Sequence, residues 1–436
     1  MPGEAGPPTL SLSSGEQVLD ALRAAARFCG PHELPAIVAE HARLLGVSDA
    51  TIHLVDLQQL TLTPFHGPVV AGAKHEPAPL DIDSTIAGRA YQHSVVLVAP
   101  SSPEHGSGTT VWLPLCESAD RIGVLSVVFD DVDGVGEPDP VLATWLHRLA
   151  ALVGELVALK KRYGDSIVMA RRSTEVDLAA EIQWGLLPPL TFGSRDVSVA
   201  AVLEPAYDVA GDSVDYAVDT DIVRLGVFDG MGHGLQSAQL ASLAVESYRN
   251  ARRAGRSLTE TAAAIDQAIE RGFSECFTTA VLAELCTSTG ELSWISAGHP
   301  APLLLRSGRV VRTLHVDPGL PFGLGLPDTD HHYPVQSEQL ESGDQVLFLT
   351  DGVLDARSPS GDHFGVERLA DLLSHNIAAS LSPAESMRRV GRALLQHQEA
   401  RLTDDATMLL MEWPGHQPGL TSAEVQALPW PEAPRV

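Results

Sequence analysis

The sequence predicts an α+β protein with two folded units joined by helices. Its 436 residues are enough for two or three domains, and the 44% hydrophobic content is enough to build real cores. Amphipathic helix patterns mixed with short strands fill the N-terminal part, whereas strands separated by turn residues dominate the C-terminal part. A strongly helical stretch lies between these two parts.

The N-terminal part is predicted to contain a flexible segment, residues 1–14, rich in Pro, Gly and Ser, and a compact α/β domain, residues 15–140. The domain shows no nucleophile–base pair and no repeated carboxylate pattern, so we predict no enzyme activity for it. Its pattern predicts helices at 17–29 and 33–45 and strands at 51–55, 95–98, 111–115 and 122–129.

Residues 141–187 are predicted to form a helical linker. A second helical run within it, residues 175–187, ends at Pro188. The first run carries six apolar residues at alternating spacings of 4 and 3: Trp145, Leu149, Leu152, Leu156, Leu159 and Tyr163. This spacing is typical of a coiled-coil seam and predicts a homodimer through the linker. One amphipathic helix packed on its own domain explains the pattern nearly as well.

The C-terminal part, residues 188–413, is predicted to be a run of antiparallel hairpins accompanied by helices. The helices are expected at 235–253, 258–272 and 383–398, and the hairpins pair 277–286 with 291–296 and 303–306 with 310–314. The last segment, residues 414–436, holds five prolines and little periodicity, so it is predicted to be a disordered tail.

The charge balance excludes some classes of function. The chain has 29 Lys and Arg against 56 Asp and Glu, which gives a formal net charge of −27. Such a surface repels nucleic-acid phosphates and anionic lipids, so we expect neither as a partner. The four cysteines show neither zinc-site spacing nor a disulfide framework, and the N-terminus has no basic start followed by an apolar core. We therefore expect a cytoplasmic protein.

One acidic hairpin carries the clearest chemical signal. The segment VAGDSVDYAVDTDIVRLGVFDGMGHG, residues 209–234, is typical of two strands around a turn at 219–221. Folding it about the turn places Asp212 opposite Asp229. Opposed like charges destabilise a sheet, and a divalent cation would compensate for their repulsion. Gly230 opens a glycine-rich turn in which a backbone carbonyl can approach such a cation.

Two further strand ends repeat this pattern. Asp351 follows the apolar strand 345–349, and Asp404 with Asp405 precedes the strand 406–412. Several strand-end aspartates in one antiparallel domain predict a site for two Mg²⁺ or Mn²⁺ ions, with a third as an open alternative. A metal pair activates a bridging water and neutralises an entering phosphoryl group, which suits the hydrolysis of phosphate esters.

The motifs around these residues resemble those of PPM-type (protein phosphatase 2C-like) serine/threonine phosphatases, in the stage II sporulation protein E branch. This resemblance covers about residues 180–413 and implies an antiparallel β-sandwich flanked by helices. The matching segments, in order, are EIQWGLLPP (181–189), VAGDSVDY (209–216), VFDGMGHG (227–234), SAGHPAPLLL (296–305), GDQVLFLTDGVLDAR (343–357) and DDATMLLM (404–411).

The resemblance implies a role for each matching aspartate. Asp212 and Asp229 would be the catalytic residues, acting through metal-activated water without a phosphoenzyme. The substrate implied is phosphoserine or phosphothreonine on a regulatory protein, such as an anti-sigma-factor antagonist. The metal ligands implied are Asp212, Asp229, the Gly230 carbonyl, Asp351 and Asp404, with Asp405 as the alternative to Asp404.

Some positions depart from the family pattern. Ala210 replaces a glycine, Ser213-Val214 replaces an aromatic pair, and Asp355 stands where Glu is usual. None of these changes removes an implied metal ligand. His233 and His299 lie in glycine-flanked turns, where a histidine is expected to cap backbone groups or line the rim of a site.

The N-terminal domain resembles a GAF domain through STIAGRAYQHSVVLV (84–98) and VWLPLCESADRIGVLSVVF (111–129). GAF domains bind small ligands or dimerise, so the resemblance implies a sensor that regulates the phosphatase. Two alternatives remain open at this point. The protein could be a non-catalytic regulator that senses a ligand and binds partners, or a phosphohydrolase of small molecules.

Overall fold

A computed structural model describes residues 12–67, 78–101, 108–130, 139–208, 211–315, 317–324, 333–399 and 404–415. The chain divides into two compact units between Ser173 and Thr174. Residues 12–14 already belong to the first helix, whereas the rest of the segment predicted to be flexible lies outside the described residues. The predicted tail also lies outside them from residue 416 onward.

The N-terminal unit combines one antiparallel sheet with helices on both faces. Its strands are β1 Asp49–Val55, β2 Thr61–Phe65, β3 Leu80–Asp81, β4 Leu97–Pro100, β5 Gly108–Glu117 and β6 Asp120–Asp130. Its helices are α1 Leu12–Phe28, α2 Leu34–Arg43, α3 Ile86–His93, α4 Pro140–Lys160 and α5 Ser166–Ala170. The described strands pair in the order β3-β2-β1-β6-β5-β4.

Alternation along the strands separates two cores in this unit. Val111, Leu113 and Leu115 of β5 pack in the larger core, which also takes up the buried faces of α1, α2 and α4. The smaller core, on the opposite face, is built with α3. The predicted mixture of helices and strands in this unit is confirmed, and with its antiparallel sheet the unit is α+β, although β2 and β3 were not predicted. Its likeness to a GAF domain stays a prediction.

The apolar seam predicted for a coiled coil lies mainly inside the N-terminal unit. Four of its six residues, Trp145, Leu149, Leu152 and Leu156, are no more than 7% exposed and belong to the larger core. Only Leu159 and Tyr163, at 50% and 70% exposure, remain accessible. The coiled-coil interpretation of these four residues is therefore wrong, because their apolar surface is already buried against their own domain. The structure shows the alternative, one amphipathic helix packed on that domain.

The same helix is the one candidate for a membrane span within the described residues. The stretch Pro140–Tyr163 is long and apolar enough by length and composition. Half of its apolar window is buried inside the protein, and core helices of soluble domains pass the same test. Its composition is therefore weak support for a membrane span.

The second unit contains the predicted hairpins and helices. Its strands are β7 Thr191–Gly193, β8 Ser198–Glu204, β9 Asp212–Val218, β10 Ile222–Gly230, β11 Thr278–Cys286, β12 Glu291–Ala297, β13 Leu303–Arg306, β14 Arg309–Thr313, β15 Gln336–Gln339, β16 Asp344–Leu349 and β17 Ala406–Trp413. Its helices are α6 Leu178–Leu186, α7 Leu235–Arg253, α8 Leu258–Gly272, α9 Asp351–Leu354, α10 Gly365–Ala378 and α11 Pro383–His397.

These described strands form two antiparallel sheets that face each other. One sheet has the order β15-β12-β11-β10-β9, and the other has the order β14-β13-β16-β17-β8-β7. A core rich in Val and Leu fills the space between them. A second core joins the first sheet to α7 and α8, and a third joins the other sheet to α10 and α11. The unit is thus a β-sandwich flanked by helices.

Candidate functional site

Three polar side chains form a row across the first sheet. Asp229 on β10 pairs directly with Asp212 on β9, as the hairpin pattern predicts, and with Thr279 on β11 on its other side. Val214 and Val227, two residues away along their strands, lie in the core between the sheets. Because side chains alternate along a strand, the row faces the second sheet at the edge of that core.

Asp215 is not part of this row. It is 1% exposed, and Arg249 and Arg252 of α7 bind its carboxylate at 2.6 and 2.7 Å. It lies three residues beyond Asp212, so its side chain points to the opposite face of β9. Asp215 therefore anchors α7 to the sheet instead of contributing to the site.

The second sheet holds Asp212 in place through two groups. The Thr350 hydroxyl donates to Asp212 Oδ2 at 2.8 Å and accepts the Thr407 amide at 3.0 Å. Asp405 Oδ2 accepts the Gly211 amide at 2.7 Å and the Asp212 amide at 3.3 Å. Two backbone donors on one oxygen give Asp405 a positioning role, which the sequence did not predict. Asp404, the residue before it, is the more exposed of the two carboxylates.

The remaining predicted ligands lie at the same end of the sandwich. Asp351 is the first residue of α9 and is exposed, and Asp404 is exposed just before β17. Asp404 Oδ1 accepts the Asp405 amide at 3.0 Å. The Gly230 carbonyl accepts the Ser237 hydroxyl at 2.8 Å, which uses one of its two lone pairs. The implied ligands therefore lie near one another, since the charges of Asp351, Asp404 and Asp405 all act on Asp229.

Electrostatic repulsion and burial disfavour the ionised carboxylates. Burial raises the pKa of Asp212 well above its usual range, and the charges of Asp229 and Asp405 act in the same direction. Burial raises the pKa of Asp229 to about 7, with further contributions from Asp351 and Asp404. Burial also raises the pKa of Asp351. A divalent cation would relieve this excess of negative charge.

The donor set fits Mg²⁺ or Mn²⁺. Within the described part of the chain, no three His, Cys, Asp or Glu side chains are placed so that together they could hold one metal ion. Mg²⁺ does not require such a set, because it keeps several waters and is usually held by one or two carboxylates. All the candidate donors are oxygens, which both ions prefer.

The glycine at position 352 allows the start of α9 to pack closely against the backbone that precedes β17. A Cβ at Gly352 would lie 2.0 Å from the Asp405 carbonyl oxygen. We expect Gly352→Ala to lower the free energy of unfolding by about 1–3 kcal/mol, because the backbone of Asp405 must move away. Urea denaturation of the metal-free protein measures the effect.

The matched control is Gly185→Ala in α6. Gly185 is exposed, and a Cβ there would meet nothing within 4 Å. We expect this change to be neutral or stabilising by roughly 1 kcal/mol, since alanine favours helix. Equal losses of stability in both variants would contradict the role given to Gly352.

The two turn histidines differ from each other. His233 is exposed, whereas His299 is 7% exposed and its Nδ1 lies 2.8 Å from the Thr279 hydroxyl. His299 is therefore too buried to line a rim, whereas its ring also interacts with the backbone of Leu349, as expected of a histidine that caps backbone groups. Thr279 was not predicted because the helices α7 and α8 separate β10 from β11, so their register cannot be counted along the chain.

A comparison of the sequence with known families identifies the segment that contains most of these residues. The profile of the Stage II sporulation protein E (SpoIIE) family matches residues 219–414. This segment is a SpoIIE-type phosphatase domain. The match includes Asp229, Gly230, Asp351 and Asp404, while Asp212 lies just before it. The family of PP2C-type serine/threonine phosphatases predicted from the motifs is confirmed.

Individual relatives cover different shares of the chain. The phosphoserine phosphatase RsbU of Bacillus subtilis is 21% identical over 278 residues, which are 63% of this chain and 80% of RsbU. Protein IcfG of Synechocystis is 26% identical over 265 residues, 54% of this chain and 41% of IcfG. The solved SiaA-PP2C domain of Pseudomonas aeruginosa is 24% identical, with a TM-score of 0.46, and the match covers 59% of this chain and 99% of that domain.

Proposed function

We propose that the SpoIIE-type domain hydrolyses phosphoserine or phosphothreonine on a regulatory protein, such as an anti-sigma-factor antagonist. The observation that carries this proposal is the pairing of Asp212, which is buried, with Asp229, which is partly buried, because crowding and burial raise the pKa of both carboxyls. The relative named phosphoserine phosphatase supports the choice of substrate. We place the protein in the cytoplasm, where such regulators act, with the N-terminal unit as a ligand sensor.

Two Mg²⁺ or Mn²⁺ ions are the proposed cofactors, and a third ion is an open alternative. When bound, the ions activate water and neutralise charge on the phosphoryl group. The groups that would hold them are Asp212, Asp229, the Gly230 carbonyl, Asp351 and Asp404, while Asp405 serves as the positioning residue described above.

The chain's own groups prepare the site for this chemistry. Thr350 and Asp405 hold Asp212 from its side chain and its backbone, so its orientation is set before a substrate arrives. The exposed Asp351 and Asp404 leave one side of the cluster open to solvent and to a phosphoprotein. Without cations the carboxylates repel a phosphate dianion, so substrate binding depends on metal.

A phosphatase assay on the purified full chain tests the proposal. We expect turnover of p-nitrophenyl phosphate and phosphoserine peptides with Mn²⁺ or Mg²⁺, its loss in EDTA, and its recovery when excess metal is restored. No metal-dependent turnover of either substrate would favour a non-catalytic regulator. Turnover of small phosphate metabolites in clear preference to phosphoproteins would favour a small-molecule phosphohydrolase.

A further inference from the structure

Thr279 connects the site to a buried histidine. Its Oγ1 lies 3.5 Å from Asp229 Oδ2 and 2.8 Å from His299 Nδ1. The first contact is longer than an ordinary O–H···O hydrogen bond, and the second has normal length. The hydroxyl of Thr279 therefore lies between a candidate metal ligand and a neutral ring that is not itself part of the acidic cluster.

The turn before His299 fixes the position of its ring. The Ser296 hydroxyl accepts the His299 amide at 3.1 Å and donates to the His299 carbonyl at 3.0 Å. Gly298 has a φ of +66°, a conformation that L side chains rarely adopt, and a Cβ there would approach Pro321 to 2.8 Å. Gly298 also bridges to Ala280, the residue after Thr279. This turn therefore places the His299 imidazole beside Thr279 on β11.

The protonation of the ring follows from its surroundings. Burial lowers the pKa of His299 to about 3, against a smaller opposite effect of the Leu349 backbone, so the ring is neutral at physiological pH. The Thr279 hydroxyl is placed to donate to Asp229 Oδ2. A hydroxyl that donates there can only accept from His299, so this arrangement requires the ring proton on Nδ1, and we assign that tautomer.

We propose that Thr279 and His299 are positioning residues that orient the Asp229 carboxylate for binding divalent cations. The proposal rests on the metal site put forward above. Binding a cation requires an ionised carboxylate, and ionised acceptors form shorter and stronger hydrogen bonds. We therefore expect the 3.5 Å contact to tighten when metal binds. Groups that orient a metal ligand in this way typically contribute 10–100-fold to affinity.

Two adjacent threonines on β11 provide the test. Thr279→Val removes the bridging hydroxyl, and Thr278→Val removes a buried hydroxyl that has no hydrogen-bond partner among the described residues. Isothermal titration of the metal-free full chain with Mn²⁺ measures the affinity directly. We expect Thr279→Val to weaken Mn²⁺ binding by about 10–100-fold and Thr278→Val to leave it unchanged. Thr279→Ser should recover most of the loss.

His299→Leu tests the second link. We expect it to weaken Mn²⁺ binding in the same direction as Thr279→Val, and no further loss when the two changes are combined, since both act through one hydroxyl. In the phosphatase assay both variants should need more Mn²⁺ for half-maximal rate, with kcat at saturating metal largely retained. Urea denaturation confirms folding, and the Thr279→Val result stands if His299→Leu does not fold.

The proposal is overturned if Thr279→Val and Thr278→Val bind Mn²⁺ equally, or if a folded His299→Leu variant binds it like the wild type. Because binding is measured without substrate, the outcome does not depend on hydrolysis. A wild-type chain that binds Mn²⁺ but hydrolyses no phosphate ester would contradict the proposed function alone. A wild-type chain that binds no Mn²⁺ would overturn both.

Discussion

Asp229→Asn is expected to remove metal-dependent phosphatase turnover while leaving the protein folded. Asp229 is the central residue of the row, with Asp212 on one side and Thr279 on the other. Asparagine keeps the shape but loses the charge, so it binds a divalent cation far more weakly. We expect kcat/KM for p-nitrophenyl phosphate with Mn²⁺ to fall by at least about 10²-fold, more than is typical for groups that only support a ligand.

The control for this prediction lies in the same hairpin. Asp219 is in the turn between β9 and β10, and its side chain is 63% exposed beside Arg224. Asp219→Asn changes the net charge by the same amount but leaves the acidic row intact, so its turnover should match that of the wild type. Wild-type turnover by the Asp229→Asn variant would rule out this residue as an essential metal ligand.

The sequence predicts the acidic hairpin well because its geometry is local. The two strands are joined by a short turn, so counting outward from the turn gives the partner of Asp212, and the structure has Asp229 there. The same counting fails for Thr279, because two helices separate its strand from β10. Residues that meet through long connections are set by tertiary packing, which a single sequence does not reveal.

The roles of Asp404 and Asp405 could have been separated from the sequence. Asp405 lies two residues before Thr407 and four before Leu409, which is in the core between the sheets. Side chains at this spacing share one face of a strand, so Asp405 faces the first sheet and reaches the Gly211 amide. Asp404 lies one residue earlier, so its side chain points to the opposite face, and it is exposed. The alternation of side chains along β17 therefore distinguishes the positioning role of Asp405 from the exposed position of Asp404.

The apolar pattern of α4 predicts an amphipathic helix but does not identify the surface against which that helix packs. A spacing of alternating 3 and 4 residues describes one apolar face of a helix, whether that face meets a second chain or its own domain. Leu152 and Leu156 are buried within the N-terminal unit. The sequence alone could not distinguish these cases, because the partner surface, formed by α1, α2 and the sheet, comes from distant parts of the chain.

The metal-free protein is expected to lose stability as the pH rises. Asp229 has a pKa of about 7 in the folded chain against an ordinary value of 3.8. Between these values the folded state binds more protons than the unfolded state, so the free energy of unfolding falls as the pH rises and levels off above about 7. Between pH 5 and pH 8 the loss from Asp229 alone is about 3 kcal/mol, and Asp212 acts in the same direction.

Urea denaturation in EDTA at pH 5 and pH 8 measures this loss, and Asp229→Asn isolates it, because asparagine does not titrate. The variant should lose less stability than the wild type over this interval, whereas Asp371→Asn, which changes an exposed carboxylate on α10, should behave like the wild type. Mn²⁺ added at pH 8 should raise the stability of the wild type more than that of Asp229→Asn, because the cation offsets the repulsion that the ionised carboxylate creates. If the wild type and Asp229→Asn respond equally to pH, then Asp229 is not crowded by its neighbours in the way that the candidate metal site requires.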